Sequence, residues 1–568
     1  MDQFSALGEQ HILTFLVQVL VLLGLARGCG ELFRRWGQPA IVAEILVGIL
    51  LGPTVLGRVA PSAMAALFPP DAAQYHMLET LAWFGVLFLL LSTGLDVDLS
   101  VAWKQGRDST IIAVSDIVVP LVIGFAAAMF IPDRFLLSPD HRFPFAFFVG
   151  TVLTISALPV AIRALHDTNV LRTDMGLLIV SALSINDLVG WVLFTVALGL
   201  ATGGVDLGGT ALALAAVLGF AAFCLLAGRR AVDWVLKRMH SMPLAEPGAS
   251  LTFVTLLGLL CGAVTQVLGV HALFGFFLAG IMAGSSRAMS ERTREIIHQM
   301  VYSIFVPLFF VSIGLRVDFL ANFSVPLVLG LTAVGIGGRY LGAWLGSLAS
   351  RVPVDERVPI AIAHTPGGDI EIVVALLAVE LGLISQHVFV AVMFGAIVSS
   401  VLVGPWLAAS LKKLRMVRTL EFFAPEAFVL DLGSAEPLGA IQEQCRSAAR
   451  LQGMPPLEEL FGAVAEREKT MSTALGKGVA CPHARLSSVG SPRVVLGLSR
   501  SGIAWDAADG APVHCVFLVL TPAADMDSQI TILAAIARAL SEPAVQRQLL
   551  AAGTADQAWE QLAEALGG

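Results

Sequence analysis

Charge is what this chain has least of. Asp, Glu, Lys and Arg make up 14% of its 568 residues, against about 25% in an average soluble chain. With 56% hydrophobic residues and a mean hydropathy of +0.81, this excludes an ordinary soluble domain for most of the length and puts that part in lipid. Cysteine pairs are missing too. Cys29, Cys224, Cys261, Cys445, Cys481 and Cys515 are scattered without a C-x-x-C pair, which reads as reduced packing residues and no disulfide framework. The opening Met1-Asp2-Gln3-Phe4 lacks the basic stretch of a secretory signal, so the first apolar run is expected to remain as a membrane span. Nor is there an excess of positive charge. A net charge of −8 gives no reason to invoke nucleic acid, and no pattern calls for a metal or a cofactor.

What is present is a succession of apolar runs of about 20 residues, recurring from His11 to about Leu411 and then stopping. Cutting at polar and Pro/Gly-rich breaks gives about thirteen spans. They run over 11–33, 39–57, 77–96, 109–131, 143–165, 174–200, 207–228, 249–268, 270–285, 296–314, 324–348, 357–382 and 386–411. Basic residues follow the odd-numbered spans: Arg34/Arg35, Lys104/Arg107, Arg172, Arg229/Arg230/Lys237/Arg238, Arg287/Arg292/Arg294, Arg351/Arg357 and Lys412/Lys413/Arg415/Arg418. The positive-inside rule makes those loops cytoplasmic and the N-terminus external. Arg58, Arg134 and Arg142 are exceptions.

Two expected spans interrupt their own helices. The fifth reads Leu153-Thr154-Ile155-Ser156-Ala157-Leu158-Pro159 and the twelfth His364-Thr365-Pro366-Gly367-Gly368-Asp369-Ile370-Glu371. Breaks at membrane depth free backbone carbonyls and helix-dipole ends, which only a protein-lined cavity tolerates. Taken as five-span repeats, spans 2–6 and 9–13 each carry the break on their fourth member, and the odd offset makes the repeats inverted. Ordinary proline kinks are the other reading.

A charge at the bilayer centre costs about 2.5–3.5 kcal/mol on insertion scales, so each needs a reason. Asp187, mid-way along the sixth span with no basic residue within a helical turn, is the prime candidate for a carboxylate at which a proton and a cation compete. A structural carboxylate is the alternative. Arg339, deep in the eleventh span, either pairs with a carboxylate or a half-helix end, offsetting site charge, or snorkels to an interface. Asp369 and Glu371 flank the second break and are candidates to pair with Arg339 or assist the cation, Asp369 the stronger. Thr154 and Ser156 offer hydroxyl oxygens to a dehydrating cation, or simply satisfy freed backbone. Glu44 and Asp116 read as structural.

These residues resemble the Kef-type branch of the monovalent cation:proton antiporters over about residues 10–412. Arg35-Trp36-Gly37-Gln38-Pro39-Ala40-Ile41-Val42-Ala43-Glu44-Ile45-Leu46-Val47-Gly48-Ile49-Leu50-Leu51-Gly52-Pro53 is similar to that family's second-span signature. Gly94-Leu95-Asp96, Pro307-Leu308-Phe309-Phe310-Val311-Ser312-Ile313-Gly314-Leu315 and the segment around Asn186-Asp187 match further. The resemblance implies an all-α domain of thirteen spans, two crossed unwound helices, alternating access, a homodimer, and Asp187 as ion carrier. Many relatives have paired aspartates where this chain has Asn186-Asp187. One titrating carboxylate implies one proton per cation, and Arg339, which cannot release a proton at working pH, supplies no second. Electroneutral exchange of Na+ or K+ for H+ is therefore expected. Ala182 replaces the Glu usual in the neighbouring NhaP-like branch, and Pro366-Gly367-Gly368 replaces an Arg before Gly.

After Arg418 the composition turns soluble. Helical patterns over 435–451, 456–467, 527–541 and 542–551 alternate with strand-like 494–498 and 514–520. An α/β domain is expected at 426–568, behind a linker at 416–425 and a membrane domain at 1–415. Gly476-Lys477-Gly478-Val479-Ala480-Cys481-Pro482-His483 is similar to the signature of the fructose/mannitol-type enzyme IIA domain of the phosphotransferase system. That resemblance implies a phospho-accepting His483, an assisting Arg467 and a phosphocarrier partner. The second histidine frequent in that family is replaced by Gln529, leaving a non-phosphorylated sensor open. The whole reads as a transporter of a bacterial inner membrane, in contact with lipid, with a cytoplasmic tail. A sugar permease would need an enzyme IIB module, for which there is no room, and a gated cation channel would need flux uncoupled from protons.

Overall fold

The computed structural model of the chain describes residues 8–97, 99–137, 141–171, 173–202, 207–242, 246–523 and 525–567; Arg172 of the basic-loop pattern lies outside them. The chain divides into two units, Met1–Ser410 and Leu411–Gly568.

The first unit is helical throughout, as its apolar runs dictate, because in lipid the backbone must satisfy its own hydrogen bonds. It begins with α1 (Glu9–Arg35), α2 (Ala40–Leu51), the short α3 (Leu56–Val59) and α4 (Pro61–Leu67), α5 (Ala72–Asp96) and α6 (Leu99–Met129). Next come α7 (Arg142–Thr154), α8 (Leu158–Asp167), α9 (Asp174–Thr202) and α10 (Leu207–Phe223), the last continuing through a π turn into α11 (Arg229–His240). Then follow α12 (Gly248–Val267), α13 (Ala272–Gly284) and α14 (Glu291–Met300), which runs through a second π turn into α15 (Val306–Arg316). The unit closes with α16 (Val325–Ala349), α17 (Arg357–Ala363), α18 (Asp369–Glu380) and α19 (Gln386–Leu420).

Among the described residues, eleven helices are long and apolar enough to cross a membrane. The shorter apolar α13 and the interrupted pair α17/α18 occupy the places of the ninth and twelfth expected spans. The fifth expected span is likewise interrupted, between α7 and α8, and Pro159 sits in the first turn of α8. There its fixed φ and missing N–H cost nothing, so the residue that stops one half-helix starts the other.

Packing groups these helices into two bundles. In one, α2 packs on α15 and α1, and α5 packs on α13 and α15, with α12 against α13. In the other, α6 packs on α16, α7 and α9, and α17 packs on α16. Equating the expected repeats member by member turns the α2/α15 contact into the α13/α5 contact and α6/α16 into itself, so the principal pairings obey the repeat. The glycines match too. Gly314 lies on the backbone of Gly48 where α15 meets α2, and Gly94 on Gly280 where α5 meets α13. Bare backbones at these crossings let the helices approach closely.

The second unit is an α/β domain. Its central strand β5 (Val513–Pro522) pairs antiparallel with β4 (Arg493–Ile503) on one edge. On the other edge it pairs in parallel with β2 (Val479–Ala480) and then β3 (His483–Leu486), while β1 (Ala474–Gly476) pairs with β2. One face is covered by α20 (Pro437–Ala448) and α21 (Leu457–Thr470) over Ile441, Leu460 and Leu518. The opposite face is covered by α22 (Met526–Ala539), α23 (Pro543–Ala551) and α24 (Ala555–Gly567) over Ile532, Leu549 and Phe517. Buried residues run almost without a break along β5, as a strand covered on both faces requires. Ahead of the expected start at 426, the Ala424 N–H already donates to the Val494 carbonyl at 3.0 Å. Five of the six cysteines are buried, Cys29 is half-buried, and all are free thiols.

The glycine crossings give a first test. A Cβ at Gly314 would overlap the Gly48 backbone, whereas one at Gly337 meets nothing within 4 Å. Gly314→Val should lower the thermal midpoint of the detergent-solubilised protein, an overpacking cost of at least about 1–3 kcal/mol, while Gly337→Ala, inside the same kind of helix but without a clash, should not lower it. Scanning fluorimetry of the two variants checks this.

Candidate ion site and phosphoacceptor site

The two helix breaks touch. The Ala157 N–H donates to the Pro366 carbonyl at 2.8 Å, and Ser156 Oγ donates to the His364 carbonyl at 2.9 Å. Gly368 lies against Ala157, and Gly367 against the Glu371 carboxylate, so closely that a Cβ at either position would overlap its neighbour. The bare backbone of Gly368 is what allows the second break to lie against the first. Each carbonyl freed by the interruptions must find a donor, since an unpaired polar group in a dry interior is expensive. Thr154 O accepts from Asn186 Nδ2 at 3.3 Å, Ile155 O from Arg339 Nη1 at 2.8 Å, and Gly367 O from Ser400 Oγ at 2.5 Å. The Gly367 N–H donates to Ser399 Oγ at 2.8 Å.

Arg339 therefore does not snorkel. It is 1% exposed and, besides holding Ile155 O, donates to Glu371 Oε2 at 2.9 Å, tying one broken helix to the other. Its carboxylate partner is Glu371, neither Asp187 nor the Asp369 favoured from the sequence. Asn186 works alongside it: Nδ2 also donates to Asp116 Oδ2 at 3.0 Å, and Oδ1 accepts from the Ser156 N–H at 3.5 Å. Thr154 Oγ1 turns back to its own helix, donating to Gly150 O at 2.9 Å.

Asp187 differs from all of these. It is buried, 1% exposed, and neither of its carboxylate oxygens has a hydrogen-bond partner. Two half-helices end at this crossing, α7 and α17, and two begin, α8 and α18, so dipole ends of both signs converge on it.

A cavity of about 320 Å³ reaches the crossing at Gly368 and Asp369. Glu44, Tyr302 and Phe310 line it from the α2/α15 bundle, and Pro159, Asp369 and Ser400 from the bundle that holds the breaks. At the far ends of α15 and α18 the two bundles are instead pinned together. Arg316 Nη1 lies 3.1 Å from Glu380 and 3.5 Å from Glu79, with its guanidinium 5.3 Å from the Tyr75 ring centroid. The seam between the bundles thus carries a wide cavity at the Asp369 end and, opposite, an ion cluster beside a much narrower one of about 20 Å³.

In the α/β domain, His483 opens β3 and is half-buried. The Nδ1–H donates to the Cys481 carbonyl at 2.9 Å, leaving Nε2 with a free lone pair. Burial first, and then the nearby Arg467 and Arg485 guanidiniums, hold the imidazole below the usual histidine range, against the Cys481 hydrogen bond and the Glu468 carboxylate. The neutral form is therefore the one present at pH 7. Gln529 Oε1 accepts from Arg485 Nε at 2.6 Å, and Arg467 Nη1 donates to Met471 O at 3.1 Å.

The structure thus brings Thr154, Ser156, Asn186, Asp187, Arg339, Asp369 and Glu371 to one crossing, and Arg467 and His483 to one corner of the second unit. Sequence reasoning set Asp116 and Glu44 aside as structural, yet one bonds Asn186 and the other lines the cavity. Ser399 and Ser400 went unremarked. Their one available signal was a pair of hydroxyls inside an apolar span.

Comparison with known proteins places these features. The family described as "Sodium/hydrogen exchanger, transmembrane" matches residues 19–413. "Phosphoenolpyruvate-dependent sugar phosphotransferase system, EIIA 2" matches 421–565. Cation/H(+) antiporter 17 of Arabidopsis thaliana is 30% identical over 410 residues, 71% of this chain and 49% of that protein. The chain therefore spans about half the length of that relative. The Na(+)/H(+) antiporter NhaS4 of Synechocystis is 26% identical over 401 residues, 69% of this chain and 96% of that protein. The structure of the sodium proton antiporter MjNhaP1 from Methanocaldococcus jannaschii superposes with a TM-score of 0.54 at 17% identity, covering 71% of this chain and 99% of that one, which is a likeness of fold.

Because Arg339 and Glu371 are 1% exposed, removing one partner strands a buried charge. Arg339→Met should cost about 3–5 kcal/mol, and Arg339→Met/Glu371→Met should recover part of it. Asp187→Asn breaks no hydrogen bond and should leave stability within about 1 kcal/mol of the parent. Thermal midpoints of the purified variants test all three.

Proposed function

The chain belongs to the sodium/hydrogen exchanger family, and we propose that it is a secondary antiporter exchanging Na+ or K+ for H+ at Asp187, electroneutrally and by alternating access. One observation carries this: a fully buried carboxylate with both oxygens unpartnered, set where two broken helices cross. Such a group must be met by a proton or by a cation. Freed carbonyls and the Ser156 and Thr154 hydroxyls are hard oxygen donors of the sort a small cation needs on losing water. Arg339 stays engaged with Glu371 and Ile155, so its guanidinium offsets one site carboxylate and leaves Asp187 to meet the proton or the cation. The seam supports the access cycle. In this conformation the cavity reaches the crossing at Gly368 and Asp369, and exposure to the other side needs the Arg316, Glu79 and Glu380 cluster to part while the cavity shuts.

On the basic-loop pattern the cavity, which includes Arg34 and Arg163 in its wall, opens to the cytoplasm. The N-terminus is then outside, and the α/β domain lies inside a bacterial inner membrane. The protein works as a homodimer. The α/β domain regulates exchange, with His483 accepting a phosphoryl group from a phosphocarrier protein through Nε2 and with Arg467 and Arg485 meeting the phosphoryl oxygens. Gln529, by holding Arg485, takes a positioning part where related domains carry a second histidine.

A pH-sensitive dye trapped in proteoliposomes tests the exchange. Adding Na+ or K+ should move protons in the wild type and not in Asp187→Asn, and proton flux that survived in Asp187→Asn would sink the assignment. For the regulatory domain, a phosphoenolpyruvate-charged phosphocarrier should place an acid-labile phosphoryl group on the full chain and none on His483→Ala. Since His483 is held below the usual range, the rate should stay flat from pH 8 to about 6.5, the ordinary histidine midpoint, and fall only at lower pH as the imidazole protonates.

A further inference from the structure

Glu44 is a buried acid that the exchange step at Asp187 does not use. It is 3% exposed, on α2, and its Oε2 has no hydrogen-bond partner. Neither arginine of the same cavity pairs with it: Arg34 is held by Glu31 at 3.6 Å and Arg163 by Asp167 at 3.8 Å. Across the cavity stands Asp369, 8% exposed, with Oδ1 also unpartnered. Two buried acids, each with one unpartnered oxygen, thus line one space of about 320 Å³, room enough for an ion with several waters still attached. Two carboxylates in one wall favour a cationic occupant over an anionic or apolar one.

We propose that Glu44 and Asp369 form a second cation site, in which a partly hydrated Na+ or K+ is held before it passes to Asp187. This rests on the antiport reading, because the site lies on the route that reading assigns. It is also a site of one conformation only. Glu44 rides on the α2/α15 bundle, whereas Asp369 and Asp187 belong to the bundle of the helix breaks. Any sliding along the seam separates Glu44 from Asp369, so the site exists while the cavity is open and disperses when it closes. Glu44 thereby favours cation capture in the open state without being carried across.

Protection of a cysteine in the cavity wall tests this apart from transport. In the full chain carrying Cys29→Ser, which removes the half-buried native thiol, Ala40→Cys places a reactive group among the lining residues. Alkylation by a soluble maleimide is followed as NaCl or KCl replaces choline chloride at constant ionic strength. The proposal expects the alkali cation to slow alkylation, the slowing to persist with Asp187→Asn, and the half-protecting concentration to rise at least about fivefold with Glu44→Gln and with Asp369→Asn. Equal reactivity of all variants in choline alone verifies their folding, and Asp369→Asn carries the test should Glu44→Gln fail to fold. A half-protecting concentration unmoved by either substitution, or protection lost with Asp187→Asn, overturns the second site and leaves the exchange at Asp187 standing. Absent proton-coupled exchange in the wild type would instead overturn the antiport reading.

Discussion

The structure turns on a backbone problem: two helices stop in the middle of the membrane and cross. Each interruption sets carbonyls and amides loose where there is no bulk water to receive them, and the crossing persists only because side chains from four other places supply partners. Arg339 is the central one. Its guanidinium bonds the Ile155 carbonyl of the first break and the Glu371 carboxylate beyond the second, and a planar multi-donor group can do both at once. Asn186 serves the Thr154 carbonyl and the Ser156 amide, and Ser399 and Ser400 serve Gly367. Among the described residues Glu44, Asp116 and Asp369 each keep one unpartnered oxygen, but Asp187 has two, and that is where the proposed chemistry lies.

The same geometry suggests how the site would change sides. α15 and α18 each run from the cavity to the ion cluster, α15 from Val306 to Arg316 and α18 from Asp369 to Glu380. A rigid displacement of the two bundles along their seam would close one end as it opened the other, with no need to unmake the crossing itself. The ion cluster is only partly buried, with side-chain exposures of 22–33%. Pairs exposed to that degree are worth about 0–1 kcal/mol each, weak enough to part and reform in every cycle. By contrast, the fully buried Arg339–Glu371 pair stays with its bundle.

Much of this was legible in the sequence. Apolar runs placed the helices, because length and hydropathy alone decide which segments sit in lipid, and Pro159 with Gly367-Gly368 marked both breaks. In the tail, the motif around His483 was readable, as were the two longest strands. Partner choice across the bundle was not. Asp369 looked the better mate for Arg339 because it follows the glycines directly, but Glu371, two residues further along α18, is the one within hydrogen-bond reach of Arg339. Asp116 and Glu44 were passed over because an acid in a span does not announce whether it faces a neighbour or a cavity. The short strands β1 to β3 escaped notice because two to four residues are too few for periodicity to register.

In the proposed exchange Asp187 serves one cation and one proton in each cycle. Exchange measured in proteoliposomes at imposed membrane potentials puts it to the test. With one proton exchanged for one monovalent cation at Asp187, the rate should be the same at positive, zero and negative potential. A rate that rises or falls steadily with voltage would mean that net charge crosses with each cycle, and would contradict the account.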